Sequence, residues 1–355
     1  MKSKRYQRKR FIPFITLSFL FMVLLCLYAG LRPFNFFSPN QVRSTNQGLR
    51  FGPRGIAYTP DMIRRPDAGG FSIRLKLQFL TLPYGSVPRV MSLVDEHGTE
   101  VLYIGQWKNS LIIRVKTHPN PRAGIMEAST GYLFSVGQTS KITISSGPSS
   151  TRLFVNDSLV RESAELAGLE RILRDGVHLV LANNPLGTQS WKGVIQSVSL
   201  FDTDMASQVG SDTEPAPILL YTLARSSGNL VSDSAGSGTS LRIPDTFRGL
   251  NREFLVPVWA IERSRSLAVD MVVNLVGFIP FGVLAFFFFR QSGGSTRAVL
   301  LGILGGVVVS LTIEVLQVYL PGRTSQMTDL ILNSAGTVLG VTGSWAVVTV
   351  RRFGF

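Results

Sequence analysis

Four runs of apolar residues limit what this chain can become. Phe11–Gly30, Ser266–Phe289 and Ala298–Leu320 are nearly free of charge, and Thr328–Val350 carries a single charge, at its start. About 20 such residues cross the hydrocarbon core of a bilayer as a helix, and lipid offers no partner to a backbone group left unpaired. The runs therefore predict four transmembrane helices, over 11–30, 266–289, 298–320 and 328–350. Between the first and second lie more than two hundred residues of ordinary globular composition. The chain thus divides into a basic tail (1–10), a first span, a large insert (48–245), a membrane-proximal linker (246–265) and a three-span region (266–350). In the linker, Trp259 and the prolines suit an interfacial segment or a plain connection.

The formal net charge is +14, which in a soluble protein would raise nucleic acid as a partner. Its placement argues for a membrane instead. Lys2, Lys4, Arg5, Arg8, Lys9 and Arg10 precede the first span, Arg290 and Arg297 bracket the loop between spans two and three, and Arg351 and Arg352 follow span four. Basic residues gather on the cytoplasmic side, so both termini are expected inside and the insert outside. Arg32, Arg263 and Arg265 run against this pattern. A basic start with an apolar core also fits a signal peptide, but the core is long and "LYAG" after Cys26 is a poor cleavage site, so an uncleaved anchor is expected. Cys26 is the sole cysteine, which excludes an internal disulfide and a cysteine-based metal site. His97, His118 and His178 are scattered through the insert.

Within the insert, short apolar-alternating stretches are separated by turns. "FSIRLKLQF" (71–79) places Phe71, Ile73, Leu75, Leu77 and Phe79 on one face. "SLIIRV" (110–115), "KITIS" (141–145), "TRLFVND" (151–157), "VHLVLANN" (177–184) and "WKGVIQSVSLFD" (191–202) follow. Asn156-Asp157 between two such stretches signals a hairpin. The spacing predicts an all-β antiparallel sandwich. The succession "SLIIRV", "RLFVNDSLV", "SWKGVIQSVSLFDTDMAS" resembles the closing half of a laminin-G or concanavalin A-like jelly roll, which implies structural roles for the 155–158 turn and the Trp191/Gly193 pair. The resemblance implies glycan binding and, in some members, bound calcium; no other cofactor is expected. Its glycosidase members use paired acids on one strand. No such pair stands here, since the adjacent Asp95 and Glu96 would point to opposite faces of a strand. Residues 219–243 read like the usual beginning of such a domain yet come last. Either the domain is circularly permuted, bringing both ends back to one surface, or this stretch is an unrelated Gly/Ser-rich linker.

The spans carry polar stripes. Asp270, Asn274 and Gly277 in span two, Asp329, Asn333 and Gly336 in span four, and Ser310, Glu314 and Gln317 in span three all fall at i, i+4 and i+7, one face of a helix in each case. Glu314 lies six residues before Leu320, roughly 9 Å along a helix, and the asparagines sit at a similar depth from their own ends. An acid within a span costs about 2.5–3.5 kcal/mol at mid-bilayer and less near the surface. The acids are therefore expected to converge in one polar pocket in the outer half of the membrane, with Arg323 of the short loop near its mouth, pairing with Glu314 or meeting an anionic head group. Two plainer readings stand beside this one: amides joining helices by hydrogen bonds, and Asp270 and Asp329 as acids favoured at helix starts.

"DMVVNLVGFIPFG" with "IEVLQVYLPGRTSQMTDLILNSAGTVLG" resembles the VanZ-like membrane domain, and "LRPFNFFSPN" (31–40) resembles that family's first outer segment. The motif positions are Asp270, Asn274, Pro280, Phe281, Glu314, Gln317, Pro321, Arg323, Ser325, Asp329 and Asn333. The resemblance implies a protein of the bacterial cytoplasmic membrane and cell-envelope biology, the founding member being associated with resistance to teicoplanin, an acylated glycopeptide. It supplies no reaction. The expected function is binding of an envelope glycan or glycolipid in contact with membrane lipids. The alternative is an intramembrane hydrolase or transferase using Asp270, Glu314 or Asp329, because paired carboxylates in a low-dielectric site suit acid–base work.

Overall fold

The computed structural model describes residues 2–116, 125–224, 228–258 and 265–353. His118, Trp259 and Arg263 lie outside the described residues, as does the side chain of Arg265. The chain divides into two compact units, Met1–Phe36 with Glu253–Phe355, and Phe37–Arg252. Among the described residues the helices are α1 (Lys2–Leu31), α2 (Glu170–Asp175), α3 (Arg265–Arg290), α4 (Ser295–Gln317) and α5 (Met327–Phe353).

The second unit is an antiparallel β-sandwich. In chain order its strands are β1 (Val42–Thr45), β2 (Gly48–Phe51), β3 (Ala57–Tyr58), β4 (Phe71–Phe79), β5 (Arg89–Val94), β6 (Glu100–Trp107), β7 (Ser110–Lys116) and β8 (Ile125–Ser129). Then come β9 (Thr139–Ser146), β10 (Thr151–Val155), β11 (Ser158–Ser163), β12 (His178–Leu181), β13 (Gly193–Phe201), β14 (Leu219–Thr222), β15 (Leu230–Val231) and β16 (Leu241–Arg242). One sheet runs β1-β2-β13-β4-β9-β10-β11 with β14 also on β13; the other runs β15-β16-β3-β12-β5-β6-β7-β8. The alternation in β4 does what its period dictates: Phe71, Ile73, Leu75, Leu77 and Phe79 are fully buried in the inter-sheet core, while Lys76 between them is exposed. Asn156 and Asp157 adopt positive φ of 50° and 67° in the two-residue β10–β11 turn, where Val155 pairs with Ser158; asparagine and aspartate tolerate that conformation best among residues with a Cβ. Trp191 is fully buried and donates its indole N–H to Gln106 Oε1 at 2.6 Å. Its ring lies where any Cβ on Gly193 would stand.

Within the stretch 219–243, β14, β15 and β16 are built into this sandwich. β14 pairs along Ser197–Leu200 of β13, and β2 pairs along Gly193–Ile195 of the same strand. β16 pairs with β3. Outside the strands, Pro39 bridges Thr246, Asn40 N–H donates to Asp245, and Phe247 N–H donates to Ser38. The unit therefore begins at Phe37 and includes β1, earlier than the sequence boundary at 48, and its two ends are stapled together. "LRPFNFFSPN" is divided between the units at Phe36/Phe37. Asp95 and Glu96 follow β5 in its turn to β6 and do not lie on a strand; Asp95 Oδ1 accepts the N–H groups of His97 and Thr99.

In the first unit, four helices are long and apolar enough to cross a membrane: Pro13–Leu31 of α1, Leu267–Arg290 of α3, Ser295–Gln317 of α4 and Met327–Arg351 of α5. α3 and α5 pack side by side and parallel. Leu275 meets Gly336 and Ile279 meets Gly340, so closely that a Cβ at either glycine would strike a carbonyl of α3. Small residues at four-residue spacing are what allow such an approach in a membrane, where packing replaces the hydrophobic drive. α4 ends at Gln317, three residues before the sequence boundary. Tyr319 and Leu320 close tight turns onto Leu316 and Gln317, because Pro321 disfavours the helical conformation in the residue before it. Glu314 consequently stands in the last turn of α4.

Candidate functional site

The end of α4 and the start of α5 are joined by residues 318–326, in which Gly322 adopts φ +77°. This return brings Asp329 and Asn333 of α5 beside Glu314 and Gln317 of α4. α3 supplies Asp270 and Asn274 from the same end. Arg265 begins α3, so Asp270 lies beyond its first turn, whereas Asp329 is in the first turn of α5; the helix-start reading thus applies to Asp329 alone.

These side chains surround a cavity of about 550 Å³. Asp270, Asn274, Glu314, Gln317, Arg323, Asp329 and Asn333 all line it, together with Gln326 and Thr324 of the turn. Met22, Leu25 and Cys26 of α1, Val273 and Phe278 of α3 and Ile313 of α4 form its apolar wall. Ser325, like Pro280, Phe281 and Pro321, does not line the cavity. It is fully buried, accepts the Leu255 N–H on its hydroxyl at 3.1 Å, and stands within reach of the Glu314 carboxylate.

Glu314 is fully buried. Its Oε2 accepts the backbone N–H of Gln326 at 2.7 Å. That donor belongs to the residue before α5, one of the unpaired N–H groups every helix start presents, so a carboxylate from α4 caps α5 where the helix dipole favours an anion. Among the described residues, Oε1 of Glu314 has no hydrogen-bond partner, nor do Asn333 Oδ1 and Gln326 Oε1. Three lining amides each make one internal hydrogen bond: Gln317 Nε2 to Gly30 O at 2.9 Å, Asn333 Nδ2 to Ser310 Oγ at 3.0 Å and Gln326 Nε2 to Thr324 Oγ1 at 3.2 Å. The Asn274 amide is within reach of the Asp329 carboxylate. Arg323 donates to the Arg32 carbonyl from Nε at 3.3 Å and Nη2 at 2.9 Å and does not pair with Glu314.

Sequence reasoning missed Gln326, whose place just before a helix start is the signal that marks its N–H as needing an acceptor. It also missed the docking of the linker. Val256 N–H donates to Ser325 O at 2.8 Å, and Met327 N–H donates to Val256 O at 3.1 Å, so Val256 makes a parallel bridge with Gln326 against the turn that holds Glu314. Although three carboxylates share the cavity, no three His, Cys, Asp or Glu side chains among the described residues are placed to hold a metal ion.

Residues 218–348 match the family model described as VanZ/LLP1. The match begins at Ile218, in the last strands of the sandwich, well before Asp270. No curated protein matches the chain. Among solved structures it is similar to a Bacteroides ovatus protein described as carbohydrate binding (11% identity, TM-score 0.37, covering 55% of this chain and 60% of that one). A heptameric SAP-like pentraxin from Limulus polyphemus is similar at 9% identity and TM-score 0.35, over 58% of this chain and 93% of the pentraxin. Trypanosoma rangeli sialidase with the inhibitor DANA is similar at 14% identity and TM-score 0.37, over 48% and 28%. The chain spans less than two thirds of the first and third of these proteins. At such identities no ligand passes from them to this chain.

Proposed function

Taking as premise a membrane protein whose residues 218–348 are VanZ-like, we propose that it binds an amphiphilic envelope glycan or glycolipid at the outer face of the bacterial cytoplasmic membrane. The observation that carries this reading is the cavity at the α1–α3–α4–α5 end, polar around Glu314 and apolar along α1. Polar groups within membrane spans are costly and mark functional pathways and sites, and this arrangement suits one molecule with a head group and a tail. In this reading both termini are cytoplasmic, in keeping with the basic residues at 2–10, 290, 297 and 351–352. The sandwich stands outside as a glycan-holding module, in envelope maintenance or a resistance-like role.

The test is to purify the full chain in lipid nanodiscs, extract bound lipids and identify them by mass spectrometry. An amphiphilic glycan enriched over bulk lipid, and lost in Glu314→Gln, is expected. A wild-type protein carrying only bulk lipid overturns the reading. Turnover of a lipid-linked sugar, abolished in Glu314→Gln, would replace binding by hydrolase or transferase chemistry at Asp270, Glu314 and Asp329.

A further inference from the structure

The cavity has a polarity that goes beyond its being polar, and the inference drawn from it rests on the binding reading above. Among the described residues the lining amides of Gln317, Asn333 and Gln326 each already make one internal hydrogen bond, while several buried acceptors accept none. The one guanidinium, Arg323, is turned to the Arg32 carbonyl. In contrast, Oε1 of fully buried Glu314, Oδ1 of Asn333 (3% exposed) and Oε1 of Gln326 accept nothing. A buried acceptor left empty carries its full desolvation penalty until a donor arrives. The charges point the same way: Asp270, Glu314 and Asp329 face a single Arg323 around one space. An anionic head group would meet three carboxylates of its own sign, whereas a cation meets carboxylates, to which its hydrogen bonds are the strong kind.

We infer that the head group taken by this cavity bears an ammonium, as an amino sugar with a free amine does, in preference to a phosphate. Lys-like ammonium groups offer three donors and no acceptor, which suits a space whose open groups are acceptors. The apolar wall from Met22 to Cys26 would take the attached chain.

The experiment uses the full-length protein in nanodiscs and three probes with one tail: dodecyl 2-amino-2-deoxyglucoside, its N-acetyl counterpart and dodecyl phosphate. Dissociation constants at neutral pH and low salt are the readout. The amine should bind about tenfold tighter than the acetamide, the difference one charge-assisted hydrogen bond makes, and the phosphate should bind weakest. Glu314→Gln should erase most of the amine's advantage over the acetamide. Asp329→Asn, which removes a second carboxylate from the same cavity, repeats the test if the first variant does not fold. A phosphate or acetamide that binds as tightly as the amine, or an amine advantage unchanged in both variants, overturns the inference while the binding reading stands. If no probe binds, both fall.

Discussion

Two buried glutamates, one in each unit, are treated in opposite ways. Glu100 in the sandwich is 8% exposed and fully engaged. It accepts the Ser92 hydroxyl at 2.6 Å and the Arg89 guanidinium at 3.3–3.4 Å, and Arg89 in turn lies 3.5 Å from the Tyr103 ring centre. Glu314 in the helical unit accepts the Gln326 N–H on Oε2, stands near the Ser325 hydroxyl, makes no direct ion pair among the described residues and has Oε1 open. A network with every member satisfied rigidifies its surroundings. A carboxylate left half satisfied inside a membrane span lowers stability and is retained where something else gains from it. The buried carboxylate of the sandwich is fully paired, and that of the cavity is not.

The largest effect expected under this comparison is in the sandwich core. Trp191→Ala removes the ring that fills the space over Gly193 and leaves Gln106 without its donor; it should cost about 4 kcal/mol, read as loss of β-sheet circular dichroism at lower denaturant while the helical signal stays. Glu100→Gln leaves Arg89 buried beside a neutral amide and should cost about 3 kcal/mol in the same measurement. A small effect there would break the contrast between the two glutamates.

Acid should act next. Arg74 hydrogen bonds hold Glu214 below the usual carboxylate range. Burial pushes Asp233 up, but the N–H groups of Leu220, Ala235 and Ser237 outweigh it and hold Asp233 low as well. A carboxylate with a depressed folded value stabilises fully above its unfolded pKa, about 3.9 for Asp and 4.3 for Glu, and that contribution disappears as pH falls through the folded value. The sandwich should therefore lose stability below about pH 4, and Asp233→Asn, costing about 1 kcal/mol at neutral pH, should flatten that dependence. The smallest stability effect is expected at Glu314→Gln, within about 0.5 kcal/mol of wild type though ligand binding is lost. A destabilisation as large as that of Glu100→Gln would make the cavity a packing network and end the distinction.

The parts legible in the sequence are those that repeat at short period. The period of two in Phe71–Phe79 announced β4, and the i, i+4, i+7 stripes placed Asp270, Asn274, Glu314, Gln317, Asp329 and Asn333 around one space. The hidden parts depend on backbone groups and on chain separation. Nothing in "FLVP" tells that Leu255 and Val256 will pair with Ser325–Met327, because backbone donors are the same in every residue. The carbonyl of Arg32 took Arg323 from Glu314 for the same reason. Gly336 reads as part of a stripe, yet its use, with Gly340, is to let α5 approach α3, a matter of shape that polarity does not report.

The stapling of the sandwich's ends has a consequence for biosynthesis. β2 leaves part of the β13 edge for β14, and β3 pairs with β16, so strands made at the outset wait for partners made nearly two hundred residues later. At about 5–20 residues per second, that is roughly 10–40 s during which β3 lacks its partner β16, an incomplete edge of the kind that invites pairing with other chains. The domain cannot close until the ribosome has reached the stretch leading into α3. Closure of the sandwich and delivery of the second helix are therefore consecutive events on one nascent chain, and a pause in synthesis after Phe247 would favour the correct order.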